Sequence, residues 1–387
     1  MTNRWSILAV LFFTRTTMAF QFQAVAALAP LIGESYGASL ADIGLLIGLY
    51  FAPGVIVALP GSALAARLGE RRVVVAAMVL MLLGGALMWA GTTWSAQIAG
   101  RLLAGIGGVT INVLLTKMLA DWFVGREIST AMAVYINSWP VGIALALLVL
   151  PLAATGGLAT AWGTVMLMIA AGLVLFVLGH RVPDSGGGAA PILRASMFPF
   201  GPVFLAAWIW AFYNAALAMV FSFGPVLLVA REWTLAAANS ATSAYLVLLA
   251  ISVPLGGILA DRSGRRDVVI AASLAGFAVL LVAALWLPDG SILVIFMAMG
   301  LISGLAAGPI MGLPSAVLAP QVRAFGMGVF FTIYYAVFML APMVAGWLAD
   351  LVGDPAAPFL FGVVMLLSCL VALWLFRRTA APAQAAC

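Results

Sequence analysis

Titratable and metal-ligating side chains are scarce in this chain. Histidine occurs once, cysteine twice, and aspartate and glutamate together 12 times in 387 residues. One histidine and two distant cysteines make no metal cluster, and no pair of acids lies deep in an apolar stretch. The groups that hydrolytic, nucleophilic or metal chemistry needs are therefore missing, no cofactor is implied, and an enzyme is not expected. Cys369 sits in an apolar run and Cys387 is the last residue, so no structural disulfide is expected either. Charged residues are 7% of the chain, against roughly 25% in soluble domains. The length leaves no room for a separate soluble output domain, which argues against a sensor.

What fills the chain instead is apolar. Hydrophobic residues make up 65% of it and the mean hydropathy is +1.21. A water-soluble core cannot hide that much apolar surface, so the solvent is mostly lipid. Twelve apolar stretches are legible, at 5–31, 42–66, 73–93, 96–119, 129–153, 158–180, 200–227, 239–260, 268–288, 291–318, 325–349 and 357–377. The expected fold class is an all-α membrane protein of twelve transmembrane helices, the first of them a retained span. The polar stretch 181–199, with Pro183, Asp184, Ser185 and Gly186 to Gly188, reads as a linker. It divides the chain into an N-terminal bundle (1–181), a cytoplasmic linker (182–199) and a C-terminal bundle (200–387), each of six helices. With the N-terminus inside, every lysine and arginine falls on the cytoplasmic side except Arg231, Arg15 and Arg101. That asymmetry orients a multi-pass protein of the cell (inner) membrane with both termini in the cytoplasm. The net charge of +5 is thus a topology signal. The expected partners are lipid and a small substrate, with no nucleic acid, and the chain is expected to be a monomer.

A short basic loop occurs twice. Residues 61–72 read GSALAARLGERR and residues 257–268 read GGILADRSGRRD, about half the chain apart. Each follows a long apolar stretch, as a tight turn between two spans does. A repeat of that length says the bundle is duplicated. The loops resemble the signature of the major facilitator superfamily, G-x-x-x-D-R-x-G-R-R between the second and third helices. The second copy matches at Gly257, Asp261, Arg262, Gly264, Arg265 and Arg266. The first matches at Gly61, Arg67, Gly69, Arg71 and Arg72, with Ala65 in place of the acid. The family's R-x-x-x-G-x-G of the fourth helix appears as Arg101, Gly105 and Gly107. The turn from Asp121 to Glu127 looks like that of anion-transporting branches, and the overall look is similar to organic-anion and cyanate-permease-like members. The resemblance implies two pseudo-symmetric six-helix bundles and a secondary transporter working by alternating access.

Arginines within the spans point to the cargo. Arg15 lies about ten residues into the first stretch, roughly 15 Å at 1.5 Å per residue, near the middle of a ~30 Å hydrocarbon core. A guanidinium there costs ~2.5–3.5 kcal/mol on insertion scales and normally faces a cavity or a partner. No acid lies deep in any stretch, so the expected partner is the substrate: a small organic anion, a carboxylate held bidentately. Helix-end carbonyls and polar side chains are the alternative partners. Arg101 divides evenly between a substrate and a structural role. It shares a helix face with Gly105, Gly108 and Asn112, which makes Asn112 a candidate polar contact. Gln23 follows Arg15 at i+8. The resemblance places helices one, four, seven and ten along the pathway, which adds Tyr213 and Asn214. A drug/proton antiporter is the runner-up, but two embedded arginines and no embedded acids favour anions.

Related anion symporters carry acids where this chain has Thr14 and Gly108. Coupling is therefore expected by anion exchange, by a proton carried on the substrate, or not at all. His180 is read as a solvated residue at the end of the sixth stretch, and Lys117 as an interfacial cation. Gly61, Arg67, Gly69, Asp121, Arg126, Glu127, Gly257, Asp261, Arg262, Gly264 and Arg265 form the expected cytoplasmic gate, in which Asp261 pairs with nearby arginines and helix-end amides. Gly300, Gly304 and Gly308 recur at four-residue spacing, as in a helix-packing seam.

Overall fold

Glycine and proline decide where the helices of this chain bend, break and touch. The computed structural model describes residues 4–56, 67–123, 128–180, 199–318 and 323–384. Its helices are α1 (Arg4–Ala27), α2 (Ala29–Tyr36), α3 (Leu40–Gly48), α4 (Glu70–Ala90), α5 (Trp94–Trp122), α6 (Ile128–Ile136), α7 (Ser138–Ala153) and α8 (Leu158–Gly179). They continue with α9 (Phe200–Ala230), α10 (Leu235–Ser263), α11 (Arg266–Trp286), α12 (Ile292–Gly304), α13 (Ala307–Met311), α14 (Leu313–Val317), α15 (Arg323–Val352) and α16 (Ala357–Gln384). Among the described residues, ten helices are long and apolar enough to cross a membrane, and α1 with α2, bent by 56°, makes an eleventh span. The expected stretch 42–66 is seen as α3 and the turn after it; residues 57–66 lie outside the described residues, as do 181–198 of the linker.

The outer surface is apolar, as lipid contact requires. Leu167 is 71% and Trp286 82% exposed, values that in water would mark a large sticky patch. The interior is packed by small residues at close helix crossings. A Cβ on Gly300 would stand 2.1 Å from the Tyr245 carbonyl oxygen, and one on Gly256 2.1 Å from that of Leu305. The seam read at Gly300 and Gly304 is thus where α12 meets α10.

Among the described residues, the start of α1, the 67–69 turn and the 263–265 turn lie at one face of the bundle, and the turns around residues 37–39, 231–234 and 353–356 at the other, here the distal face. The distal face is closed across the two sets of helices. A Cβ on Gly44 of α3 would lie 2.0 Å from the Pro342 carbonyl oxygen of α15, and one on Gly48 1.9 Å from that of Met339. In return, a Cβ on Gly346 of α15 would lie 2.0 Å from the Leu40 carbonyl oxygen. The N-terminus of α3 completes the seal. Ser39 Oγ accepts from the Asp42 amide at 3.2 Å, and Asp42 Oδ2 accepts from the Ser39 amide at 3.0 Å. Two orphan amides remain in that first turn. Leu40 and Ala41 donate them to Asp350 Oδ1 and Oδ2, at 3.0 and 2.7 Å. A carboxylate on a helix N-terminus contributes about 1 kcal/mol, so Asp350→Ala should open the distal face about fivefold more often. Spin labels at Ala38 and Pro355 would then gain a longer-distance component; an unchanged distribution would make Asp350 a surface cap and nothing more.

Further contacts cross nearby. Gln23 Nε2 donates to the Phe221 carbonyl at 2.6 Å, and Asn239 Nδ2 to the Ala27 carbonyl at the α1–α2 bend at 3.3 Å. At the terminal face the described ion pairs behave differently. Lys117 pairs with Glu70 and with Asp121, the latter at 2.9 Å. Asp261 pairs with Arg266 at 2.9 Å, and Arg377 with Asp267. Each of these pairs residues on the same side of the 181–198 segment.

Candidate functional site

Pro140 creates the central feature of the site. A proline has no amide hydrogen to give to the carbonyl four residues back, which here is that of Ile136. The helix breaks there: α6 ends at Ile136, Asn137 forms a turn, and α7 starts at Ser138. Arg15, on α1, supplies what the break lacks. Its Nη1 lies 3.3 Å from the Ile136 carbonyl oxygen, 3.2 Å from that of Tyr135 and 3.3 Å from Ser138 Oγ. Its Nε donates to Asn112 Oδ1 at 3.0 Å, and the guanidinium carbon sits 4.8 Å from the centre of the Tyr135 ring. Nη2 has no protein acceptor assigned among the described residues. The side chain is only partly buried, so that edge of the guanidinium is available to a ligand.

Arg15 opens onto a cavity of about 140 Å³ between the two sets of helices. At ~10–15 Å³ per water, this is room for a small organic solute. Asn112, Asn137 and Trp139 line it from the N-terminal helices, and Trp210, Tyr213, Asn214 and Tyr335 from the C-terminal ones. Among the described lining residues Arg15 carries the sole charge, and there is no aspartate, glutamate or histidine. Asn112 also bridges the two sides, donating through Nδ2 to the Tyr335 hydroxyl at 3.2 Å. Towards the distal face the cavity ends on packed rings. Phe51 lies 4.9 Å from Phe338, and Phe22 6.2 Å from Phe221.

Of the six candidate binding residues, Arg15, Asn112, Tyr213 and Asn214 meet around this cavity. Tyr213 spends its hydroxyl on the Ser303 carbonyl at 2.9 Å and offers its ring; Asn214 Nδ2 turns back to the Trp210 carbonyl at 2.8 Å. The other two are corrections. Gln23 points to α9 within the distal seal, because the bend after α1 brings its end against the C-terminal helices. Arg101 is fully buried away from the cavity. Its Nε, Nη1 and Nη2 donate to the carbonyls of Leu46 (2.8 Å), Gln21 (3.0 Å) and Phe22 (2.6 Å). The face shared by Arg101, Gly105 and Gly108 packs on Tyr50, whose atoms lie within 2.4 Å of where either glycine's Cβ would be. The stripe therefore reaches the cavity at Asn112 alone, and Asn112 serves Arg15 rather than Arg101.

The expected gate residues scatter. Gly61, Arg126 and Glu127 lie outside the described residues. Arg67, Arg262 and Arg265 are exposed, and Gly69 and Gly264 are turn residues with φ of +87° and +64°. Asp261 meets Arg266 across the α10–α11 turn, and Gly257 faces Gly308 in a small crevice. Asp121 pairs with Lys117 on its own helix, a half-exposed cation that Glu70 also holds. His180 is also corrected: it is 4% exposed and stacked on Phe176 at 4.8 Å between ring centres. Asn137, Trp210, Phe221, Tyr334 and Phe338 also line the cavity. Pro140 was the available signal for Asn137, and helical spacing puts Trp210 on the face of Tyr213 and Asn214; nothing in the spacing marked Phe221, Tyr334 or Phe338.

Comparison with known proteins settles the family. The sequence profile of the Major Facilitator Superfamily matches residues 11–234 and again 203–386. The chain belongs to the major facilitator superfamily. It is a multi-pass membrane protein of a family of secondary transporters, and its fold is the all-α fold of that superfamily. Solved structures agree on the fold. A bacterial homologue of the human lysosomal transporter Spinster, inward-facing and unoccupied, superposes with a TM-score of 0.79 at 16% identity, over 98% of both chains. A D-xylose–proton symporter superposes at 0.76 with 15% identity, over 95% of this chain and 97% of that one. Among curated sequences, the citrate–proton symporter of Klebsiella pneumoniae is 28% identical over 159 residues, which is 38% of this chain and 36% of the symporter.

Proposed function

We propose that this superfamily member carries a small organic anion, a carboxylate, across the membrane by alternating access. One observation carries the reading. The cavity between the helix sets holds one guanidinium, fixed in place by neutral partners, with one nitrogen unspent and no acid among its described lining. An uncompensated cation in such surroundings favours a bound anion strongly. The two halves, 1–181 and 200–387 joined by 182–199, would rock about this site as a monomer. With the termini in the cytoplasm of an inner-membrane protein, the sealed distal face would be the outer gate in its closed state. Asn112, bonded at once to Arg15 and Tyr335, ties occupancy of the cation to the opposite helices. Two of the similar proteins are named as proton symporters. With no Asp, Glu or His among the described lining residues, a coupled proton would travel on the transported acid.

Thermal-shift measurements on the purified protein test the reading. Small carboxylates should stabilise the wild type, and Arg15→Ala should weaken their binding by 10- to 100-fold while leaving the protein folded. Stabilisation by hydrophobic cations and by no anion would replace this reading with that of an antiporter for hydrophobic compounds.

A further inference from the structure

The walls of the cavity say more about the anion than its charge. Phe51, Trp139, Trp210, Tyr213, Phe221 and Phe338 all face it, and Tyr334 and Tyr335 join them. Within this aromatic lining two polar atoms are fully buried without a hydrogen-bond partner: Trp210 Nε1, a donor, and Asn137 Oδ1, an acceptor. Native interiors rarely leave such groups unpaired, because each carries its full desolvation cost. Two nearby donors are already committed: the Tyr213 hydroxyl to the Ser303 carbonyl, and the Asn214 amide to the Trp210 carbonyl.

Resting on the anion reading above, we propose that the substrate is a hydroxylated monocarboxylic acid built on a ring. Three observations lead there. One guanidinium matches one carboxylate; a second or third carboxylate would be stranded among rings, where an unpaired charge is far more costly than in water. The aromatic walls fit a flat or compact apolar body and gain nothing from an anion as small as acetate. A hydroxyl both donates and accepts, so it is the smallest group that can give Asn137 Oδ1 a donor and Trp210 Nε1–H an acceptor. Sites that hold desolvated polar groups for a substrate hydroxyl discriminate sharply against the analogue lacking it. The citrate–proton symporter that this chain partly resembles is named for a tricarboxylate, and the charge count here points away from that class.

The test uses the full-length protein in detergent, with 3- and 4-hydroxybenzoate, benzoate, acetate and citrate as probes. Binding is read by titration calorimetry and by quenching of the cavity tryptophans. A hydroxybenzoate should bind at least tenfold more tightly than benzoate, and both more tightly than acetate or citrate. Arg15→Ala should weaken binding of all of them by 10- to 100-fold. Trp210→Phe keeps a ring and loses the N–H, so it should bring the hydroxybenzoate-to-benzoate ratio close to one. Equal affinity of the wild type for benzoate and both hydroxybenzoates would overturn the hydroxyl assignment. Citrate binding more tightly than the monocarboxylates, with loss in Arg15→Ala, would overturn the substrate class and leave the anion reading standing. Absence of any Arg15-dependent anion binding would remove the anion reading itself.

Discussion

Arg101→Ala is expected to leave little folded protein. The guanidinium is fully buried and its three nitrogens each hold a backbone carbonyl. One of these carbonyls has no other partner to return to. The Tyr50 amide turns to Ile47 rather than to Leu46 as α3 breaks, so Leu46 is satisfied through Arg101. Tyr50 then lies under the guanidinium at 4.6 Å, and Phe22 at 5.6 Å. Arg101 thus ties α1, α3 and α5 together. Each buried acceptor left unpaired costs about 1–3 kcal/mol, and the emptied volume adds to it. A loss of about 3–5 kcal/mol is the expected result, a large share of a typical folding free energy. Arg101→Lys should recover only part, because one ammonium cannot reach three carbonyls arranged for a planar fork. Melting temperature in detergent and the monodisperse fraction on gel filtration measure it. Arg15→Ala is the internal contrast, since it should spare the fold and lose the ligand. An Arg101→Ala protein that melts like the wild type would show that the three carbonyls find other donors.

Gly48→Val should stop transport with the protein intact. The distal seal requires the α3 and α15 backbones to touch, and a Cβ on Gly48 would sit 1.9 Å from the Met339 carbonyl oxygen. Backbone atoms of a packed helix cannot withdraw far enough to admit it. The α3 and α15 contact is therefore excluded, and with it the distal-closed half of a rocking cycle. Transport in proteoliposomes should fall at least 100-fold, with ligand binding from the distal side retained. Distance measurements between labels at Ala38 and Pro355 should show the open population alone. Transport at the wild-type rate would mean that α3 and α15 never need to meet this closely.

The residues that were legible and those that were not differ in a physical way. Depth in the membrane is a local property, readable from hydropathy and the rise of a helix, and Arg15 was placed by it. Depth does not say which neighbour a helix face meets. Arg15 and Arg101 looked alike as embedded cations, and their roles separate only through contacts with Ile136 and Leu46, residues far away in the chain whose helices break. Asn112 shares a helix face with Arg101, yet its partner is Arg15, because Tyr50 fills the space beside the nearer glycines. Gln23 shares a ridge with Arg15, but the bend after α1 delivers it to Phe221. The capping of α3 by Asp350 joins residues about three hundred positions apart, which no periodicity reports.

By itself, then, the sequence determined that the protein is a multi-pass membrane protein, and it pointed to a duplicated bundle and to a cation well inside the first span. Those follow from composition, charge placement and a repeated loop, all of which act locally on insertion into a membrane. The tertiary structure alone decided which cation faces the cavity, which rings and unpaired polar atoms surround it, and which face is sealed. Those depend on close approaches at Gly44, Gly48 and Gly346 and on the helix break at Pro140. There, a few tenths of an ångström of backbone geometry set which distant side chains meet.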